Sequence, residues 1–223
     1  MHRATPHTGE WRTRMDGKML HRWVTVSSIG TVGVFIVSVA GSVFLKPDYH
    51  VFMNYLSNLG RTGAASGPLF SAGMVVTAVL LAIFFAALRP ILGTRQRVTL
   101  GTVSGLAAAA GLSGVGIFPV GVEPYHTLAA ALFFLSSALA VVLLHLAVTE
   151  DRVSTPISRA AGVAYVALGV LFVLLERPWV ENLSVVAFGI WMLAMVEVSQ
   201  RSLRRRPATR KGPSSPAPQT RTG

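Results

Sequence analysis

A histidine and an acid lie three residues apart at the start of an apolar stretch, Glu123 and His126 in GVEPYHTLAAALFF. An imidazole ordinarily has a pKa of about 6.5, and a neighbouring carboxylate shifts it, so the pair suits general acid–base catalysis. Glu123 and His126 are therefore the candidate catalytic residues, and His126 is also the candidate metal ligand. The alternative interpretation is a histidine that only hydrogen-bonds the adjacent loop.

Two other polar segments supply candidate binding residues. KPDYHVFMNYLSNLGRTG has an apolar and a polar face at helical spacing, with Asp48 suited to the N-cap and Gly60 to the C-cap, so we expect a short helix here. The segment ERPWVEN contributes two further acids, Glu176 and Glu181. The candidate binding residues of the two segments are Asp48, His50, Asn54, Ser57, Asn58 and Glu181.

Sequence patterns typical of well-known catalytic centres are missing from the chain. It has no cysteine, which excludes disulfide scaffolds, cysteine-ligated zinc, iron–sulfur clusters and thiol nucleophiles. It also lacks HExxH and HxxxH pairs, a GxSxG elbow, a phosphate-binding loop and a dinucleotide fingerprint. The signal for an enzyme is therefore weak, no cofactor is predicted, and no metal site follows from spacing.

The elements that position these residues are six apolar runs. Of the 223 residues, 52% are hydrophobic and 13% are charged, about half the charged fraction of a soluble domain. A helix needs about 20 apolar residues to cross the hydrocarbon of a bilayer. The runs are Trp23–Leu45, Gly67–Leu88, Val98–Phe118, Pro124–Val148, Ile157–Leu175 and Val180–Val196. We expect an all-α, polytopic membrane protein with six transmembrane helices in one bundle, and an interfacial helix in the first outer loop.

Small residues recur at helical spacing in the third run, GTVSGLAAAAGLSGVG. Gly101 and Gly105 form a GxxxG pattern, and Ala107 with Gly111 continues the spacing. Because such residues let helix backbones approach closely within lipid, we expect this helix to pack tightly against its neighbours.

Lysine and arginine are distributed unevenly among the connections. The two tails and the second and fourth loops carry 17 of the 20 basic residues, and the other loops carry three. Since these residues stay on the cytoplasmic side of short loops, we expect a multi-pass cell-membrane protein with both termini cytoplasmic. A cleaved signal peptide is the alternative for the first run, but its 23 residues exceed the roughly 7–15 of a signal sequence.

The tails carry most of the net charge of +11. We expect a basic cytoplasmic N-tail over 1–22, the six-helix domain over 23–196, and a basic cytoplasmic C-tail over 197–223 that is disordered because it is rich in Pro, Ser and Gly. The arginine cluster beside the last span is expected to contact anionic lipid headgroups, or else only to fix the topology. Its members are Arg201, Arg204, Arg205 and Arg206. No folded basic surface indicates nucleic-acid binding, and the sequence predicts no oligomeric state.

The segments NYLSNLG, GPLFSAGM and GVGIFPVG, with Pro124 to Phe134, together resemble the bacterial and archaeal membrane proteins called domain of unknown function 998. The resemblance covers about residues 23–196 and implies a six-span fold without an established activity. The matched positions are Ser57, Asn58, Leu59, Gly60, Phe118, Pro119 and His126. The Phe-Pro and histidine pattern also resembles, more distantly, the DRAM/FRAG1-type proteins of eukaryotes. Where the family often carries an acid, this chain has Asn58 and Val120.

We therefore expect a non-enzymatic membrane protein that acts in permeation, lipid interaction or support of partner proteins. The alternative is a membrane-embedded hydrolase or lipid-modifying enzyme, which needs His126 and a carboxylate at one outward-facing cavity. A small-molecule transporter is the second alternative. The acids within the spans are confined to the span ends, which argues against ion coupling through the middle of the membrane.

Overall fold

The computed structural model describes residues 17–205, which form six α-helices and one short 3-10 helix, with no strand among them. The helices are α1 (Gly17–Phe44), α2 (Gly67–Leu92), α3 (Gln96–Ile117), α4 (Tyr125–Glu150), α5 (Pro156–Leu175) and α6 (Pro178–Arg205), and the 3-10 helix is Leu56–Gly60. All six α-helices are long and apolar enough to cross a membrane. The predicted all-α, six-span membrane fold is therefore confirmed. Most of the two tails lies outside the described residues.

The first and last helices extend beyond the apolar runs that predicted them. Helix α1 begins at Gly17 rather than Trp23, and α6 continues to Arg205 rather than ending at Val196. Hydropathy marks the part of a helix that lies in hydrocarbon, whereas Lys, Arg, Gln and Leu continue the helical hydrogen bonding into the polar region. The two extensions touch, because His21 Nδ1 lies 2.8 Å from the Ser199 hydroxyl.

Successive helices are antiparallel, and they are joined by short connections except after α1, where residues 45–66 intervene. Each helix packs against the next one in the chain, and α6 also packs against α1 and α2, which closes the bundle. Gly17 and Arg205 consequently lie at one end of the bundle, which we call the terminal end. The opposite end, here the distal end, carries the connections after α1, α3 and α5.

Helix α6 runs through the aromatic core. Its Trp191 is fully buried and stacks on Phe188 with ring centroids 5.9 Å apart. The ring of Phe84 meets Trp191 edge to face at 6.3 Å, so α2 and α6 are joined by aromatic contact. This core fixes α6 against the rest of the bundle and thereby fixes the first turn of α6 at the distal end.

The small residues of α3 face their neighbours at close range, as the sequence predicts. A Cβ atom built on Gly105 would lie 2.3 Å from the Phe85 ring of α2, and one built on Gly111 would lie 2.5 Å from the backbone nitrogen of Phe133 in α4. Side chains at these two positions would therefore push the three helices apart.

The first connection contains a shorter helix than the one expected between Asp48 and Gly60. Residues 51–53 form a turn, Tyr55 is extended with ψ of 146°, and only Leu56–Gly60 is helical, as a 3-10 helix. The expectation of one continuous helix capped by Asp48 was wrong. The Asn54 side-chain oxygen accepts the His50 N–H at 2.9 Å, and such local hydrogen bonds compete with helix formation.

Candidate functional site

The distal half of the bundle encloses a cavity of about 350 Å³. Its walls come from α1, α2, α3, α4 and α6 and are mainly apolar, with Phe35, Met74 and Phe134 among them. Three of the predicted site residues also line it: Ser57, His126 and Glu181. A cavity of this size with apolar walls and a few converging polar groups is typical of a site for a small ligand.

His126 lies in the first turn of α4 and is 8% exposed. Its Nδ1 lies 2.8 Å from the carbonyl oxygen of Phe118. Because a carbonyl only accepts hydrogen bonds, Nδ1 carries the proton in this contact, and when the ring holds that proton alone, Nε2 is an acceptor. Nε2 has no hydrogen-bond partner among residues 17–205. The histidine therefore presents an unpaired basic nitrogen at the cavity.

Glu181 lies in the first turn of α6 and is also 8% exposed. Its Oε2 accepts the backbone N–H of Leu56 at 3.1 Å, which ties the 3-10 helix to α6. Its other oxygen has no partner within the described chain, and no basic side chain there forms an ion pair with it. A buried carboxyl that uses only one of its oxygens can still form hydrogen bonds through the other. Leaving that oxygen without a hydrogen bond costs free energy.

The third polar group is Ser57, whose hydroxyl likewise has no partner among the described residues. Ser57 sits in the 3-10 helix, and His126 and Glu181 begin α4 and α6, so all three belong to the distal end. Within residues 17–205, no lysine or arginine lines the cavity. The cavity therefore has one polar end without lysine or arginine among the described residues, and apart from Thr31 and Thr77 the rest of its lining is apolar.

Glu123 is separated from this arrangement. It is exposed and does not line the cavity. Its Oε2 accepts the Thr127 hydroxyl at 2.7 Å and the Thr127 N–H at 3.3 Å, and the hydroxyl contact holds the pKa of Glu123 below its ordinary value. No hydrogen bond joins Glu123 to His126 in the described chain. The carboxyl that shares a cavity with His126 is Glu181.

The other predicted binding residues lie beside the cavity rather than in it. His50 lines a second cavity of about 500 Å³ between α1 and α6, with Tyr49 and Asn182. Asn54 stabilises the turn before the 3-10 helix, and the main-chain oxygen of Asn58 accepts the Lys46 amine at 3.2 Å. The side chain of Asp48 is exposed. The structure thus brings three of the eight candidates together at the cavity.

The cavity opens sideways between α1 and α6. Its lining includes Ile36 of α1 with Val186 and Ile190 of α6, and these three side chains are between 46% and 57% exposed. Beside this opening the two helices are in contact, where a Cβ atom on Gly189 would lie 3.6 Å from Val32, and they touch again at His21 with Ser199. Since both helices cross the membrane, the mouth faces the hydrocarbon of the bilayer.

A metal centre is not assembled by the described residues. Between 17 and 205 no three histidine, aspartate or glutamate side chains lie close enough together to hold an ion. Within this described part of the chain, His126 therefore lacks the second and third ligands that a zinc site needs from the protein.

The arginine cluster at the terminal end is partly engaged with the connection between α4 and α5. Arg205 donates to the Asp151 carbonyl at 2.9 Å, and Arg201 donates to the Ser154 carbonyl at 3.5 Å and pairs with Glu197. Arg204 has no partner in the described residues, and Arg206 lies outside them. Two of the four arginines therefore bind carbonyl or carboxylate groups of the protein itself.

Sequence reasoning missed the partners and walls of the site. The Phe118 carbonyl and the Leu56 amide, which orient His126 and Glu181, are main-chain groups that no residue type reveals. The apolar walls, such as Phe70 and Leu193, resemble any other residue of a membrane span. Only the Phe-Pro pair at residues 118 and 119, which ends α3 next to His126, was a usable signal.

Comparison with known proteins gives a family match. Residues 29–198 match the sequence profile of the family described as "Protein of unknown function (DUF998)". No curated protein and no solved structure matches the chain. The match begins within α1, ends within α6, covers the four helices between them, and includes Ser57, His126 and Glu181. It does not support the more distant resemblance to DRAM/FRAG1-type proteins.

Proposed function

The chain belongs to the DUF998 family of proteins of unknown function, and we propose that it is a multi-pass membrane protein that binds a lipid-like amphiphile in the cavity between its helices. The observation that carries this proposal is the shape and chemistry of the cavity: apolar walls, a polar distal end and a mouth toward the bilayer. An amphiphile has matching parts, because its chain suits the walls and its head suits the polar end.

The length of the cavity supports an extended hydrocarbon chain as the occupant. Along α6 its lining runs from Glu181 to Leu193, which corresponds to about 18 Å at the rise of an α-helix. Burial of apolar chain surface against apolar walls contributes about 25 cal/mol per Å² when the alternative is water, and much less when the alternative is lipid. Selectivity for one amphiphile over bulk lipid therefore depends on the polar end.

A cavity-filling substitution tests the proposal. Gly189 lines the cavity mouth, and a Cβ atom there fits without a clash, so the longer side chain of Gly189→Leu would extend into the mouth. The matched control is Gly169→Leu, because Gly169 has nothing within 4 Å and does not line the cavity. Native mass spectrometry of the purified full chain in mild detergent reports any amphiphile that remains bound.

We expect a bound amphiphile on the wild type and on Gly169→Leu, and about a tenfold lower bound fraction on Gly189→Leu. Equal occupancy in all three proteins would mean that the bound molecule is elsewhere, and it would overturn the proposal. No bound amphiphile on any of them, even after addition of a lipid panel, would also overturn it.

A second candidate function is a membrane-embedded hydrolase, and the orientation of His126 favours it. With Nδ1 protonated toward Phe118, Nε2 has the form that a general base needs. Nε2 would take a proton from water as the water attacks an ester carbonyl, and would return it to the departing alcohol. Release of fatty acid from monooleoylglycerol by the wild type, abolished in His126→Ala and retained in Glu176→Gln, would support this function. No release by the wild type would exclude it for this ester.

The topology proposed for this protein has the terminal end in the cytoplasm and the cavity's polar end outside. The support is the distribution of basic residues in the sequence, since the terminal end carries Arg95, Arg97 and Arg201. In this arrangement residues 1–22 and 197–223 form cytoplasmic tails, and the unpaired Arg204 is the described member of the arginine cluster free to meet anionic headgroups.

A further inference from the structure

The geometry points to a particular class of head for the amphiphile: one that bears hydroxyl groups and carries no negative charge. This inference rests on the proposed lipid-binding function and deepens it. It is argued from the three polar side chains at the distal end of the cavity, His126, Glu181 and Ser57, and from the absence of lysine and arginine among the described residues that line it.

The polar end is rich in hydrogen-bond acceptors. His126 presents Nε2 as an acceptor, because its proton is on Nδ1 and is used by the Phe118 carbonyl. Glu181 presents a carboxyl oxygen, because only its Oε2 is used, by the Leu56 N–H. Ser57 adds a hydroxyl, which both donates and accepts. A head that satisfies these atoms must therefore donate at least two hydrogen bonds.

The charge of the lining excludes an anionic head. A carboxylate or phosphate at this end would be buried beside Glu181, and none of the described lining residues is a lysine or arginine that could neutralise it. Burial of an unpaired charge is costly, and a like charge nearby increases that cost. With His126 neutral, the described residues offer no positive partner to an anionic head in either protonation state of Glu181.

A hydroxyl head meets the requirement without a charge. The two hydroxyl groups of a monoacylglycerol, for example, can donate to His126 Nε2 and to the Glu181 oxygen while one accepts from Ser57. The glycerol head also leaves the acyl chain directed along the apolar walls toward Leu193. Bulk phospholipid, with its phosphate, is disfavoured at the same site, which gives the cavity a basis for selecting a minor lipid.

Three amphiphiles share a C18 chain and differ in the head group, so they test how the head affects binding. They are monooleoylglycerol, oleate and oleylamine. Each is titrated into the purified full chain in mild detergent, and the bound fraction is measured by native mass spectrometry. We expect an apparent Kd for monooleoylglycerol about tenfold lower than for oleate and also below that for oleylamine. Oleate binding as tightly as monooleoylglycerol, or oleylamine binding more tightly, would overturn the hydroxyl assignment but would leave lipid binding intact.

Variants test whether the preference for a hydroxyl head depends on the side chains at the polar end of the cavity. His126→Ala and Glu181→Ala should each weaken monooleoylglycerol binding about fivefold and reduce the preference for monooleoylglycerol over oleate. Glu176→Gln, which changes an exposed acid at the same end of the bundle, should bind as the wild type does. Unchanged selectivity in both alanine variants would overturn the assignment. If none of the three amphiphiles binds to the wild type, the proposed function fails together with this inference.

Discussion

His126 and Glu181 follow the same pattern of hydrogen bonding. Each is buried at the start of a helix, and each uses one atom to bind a main-chain group of a neighbouring segment, Phe118 in one case and Leu56 in the other. The second atom of each side chain is left toward the cavity. The main-chain contacts orient the two side chains, because a buried polar group that had no such contact would be costly to keep.

Removal of the Glu181 carboxyl is expected to loosen the 3-10 helix. In Glu181→Ala the Leu56 N–H loses its acceptor, whereas Glu181→Gln retains an oxygen in the same position. Hydrogen exchange measured by mass spectrometry should therefore show faster exchange at residues 56–60 in the alanine variant, by a factor corresponding to about 1–2 kcal/mol, and little change in the glutamine variant. Equal exchange in the two variants would contradict the importance of this contact.

At the scale of elements, the helices of the first four spans are held by contacts that only small residues permit. Helix α3 approaches α4 so closely at Gly111 that a Cβ atom there would meet the Phe133 backbone rather than a side chain that can move. In lipid the hydrophobic effect does not drive helix association, so close backbone contact of this kind is a main source of packing energy.

Gly111→Ala should destabilise the bundle, although alanine is the better helix former by about 1 kcal/mol. The added methyl group would lie 2.5 Å from the Phe133 nitrogen, and overpacking of this kind costs about 1–3 kcal/mol. Gly33→Ala in α1 is the matched control, since nothing lies within 4 Å of its Cβ position. We expect a lower thermal unfolding midpoint in detergent for Gly111→Ala, and an equal or higher one for Gly33→Ala. The opposite order would refute the packing argument.

At the scale of the whole molecule, sequence patterning predicted the six spans and their approximate bounds, because apolar length is a direct consequence of the bilayer. It also identified His126, Glu181 and Ser57 as candidates. It did not distinguish them from Glu123, Asp48 and Asn54, because convergence at a cavity depends on how α4 and α6 are rotated about their axes. That rotation is set by packing, as in the aromatic core around Trp191, and not by local pattern.

The proposed topology can be tested directly because the chain contains no cysteine. A single cysteine introduced as Ala65→Cys lies at the distal end, and one introduced as Thr94→Cys lies at the terminal end, and both positions are exposed. A membrane-impermeant maleimide should label intact cells carrying the first variant, and should label the second only after the membrane is opened. Labelling of the second variant in intact cells would reverse the orientation.

The sideways mouth between α1 and α6 determines which ligand concentration governs binding to this protein. Ile36, Val186 and Ile190 border an opening that faces hydrocarbon, so a ligand reaches the cavity by diffusing within the plane of the membrane. Occupancy is then set by the mole fraction of that ligand among the surrounding lipids, and its solubility in water has no direct effect. A change in membrane composition would alter occupancy even when the aqueous phase stays the same.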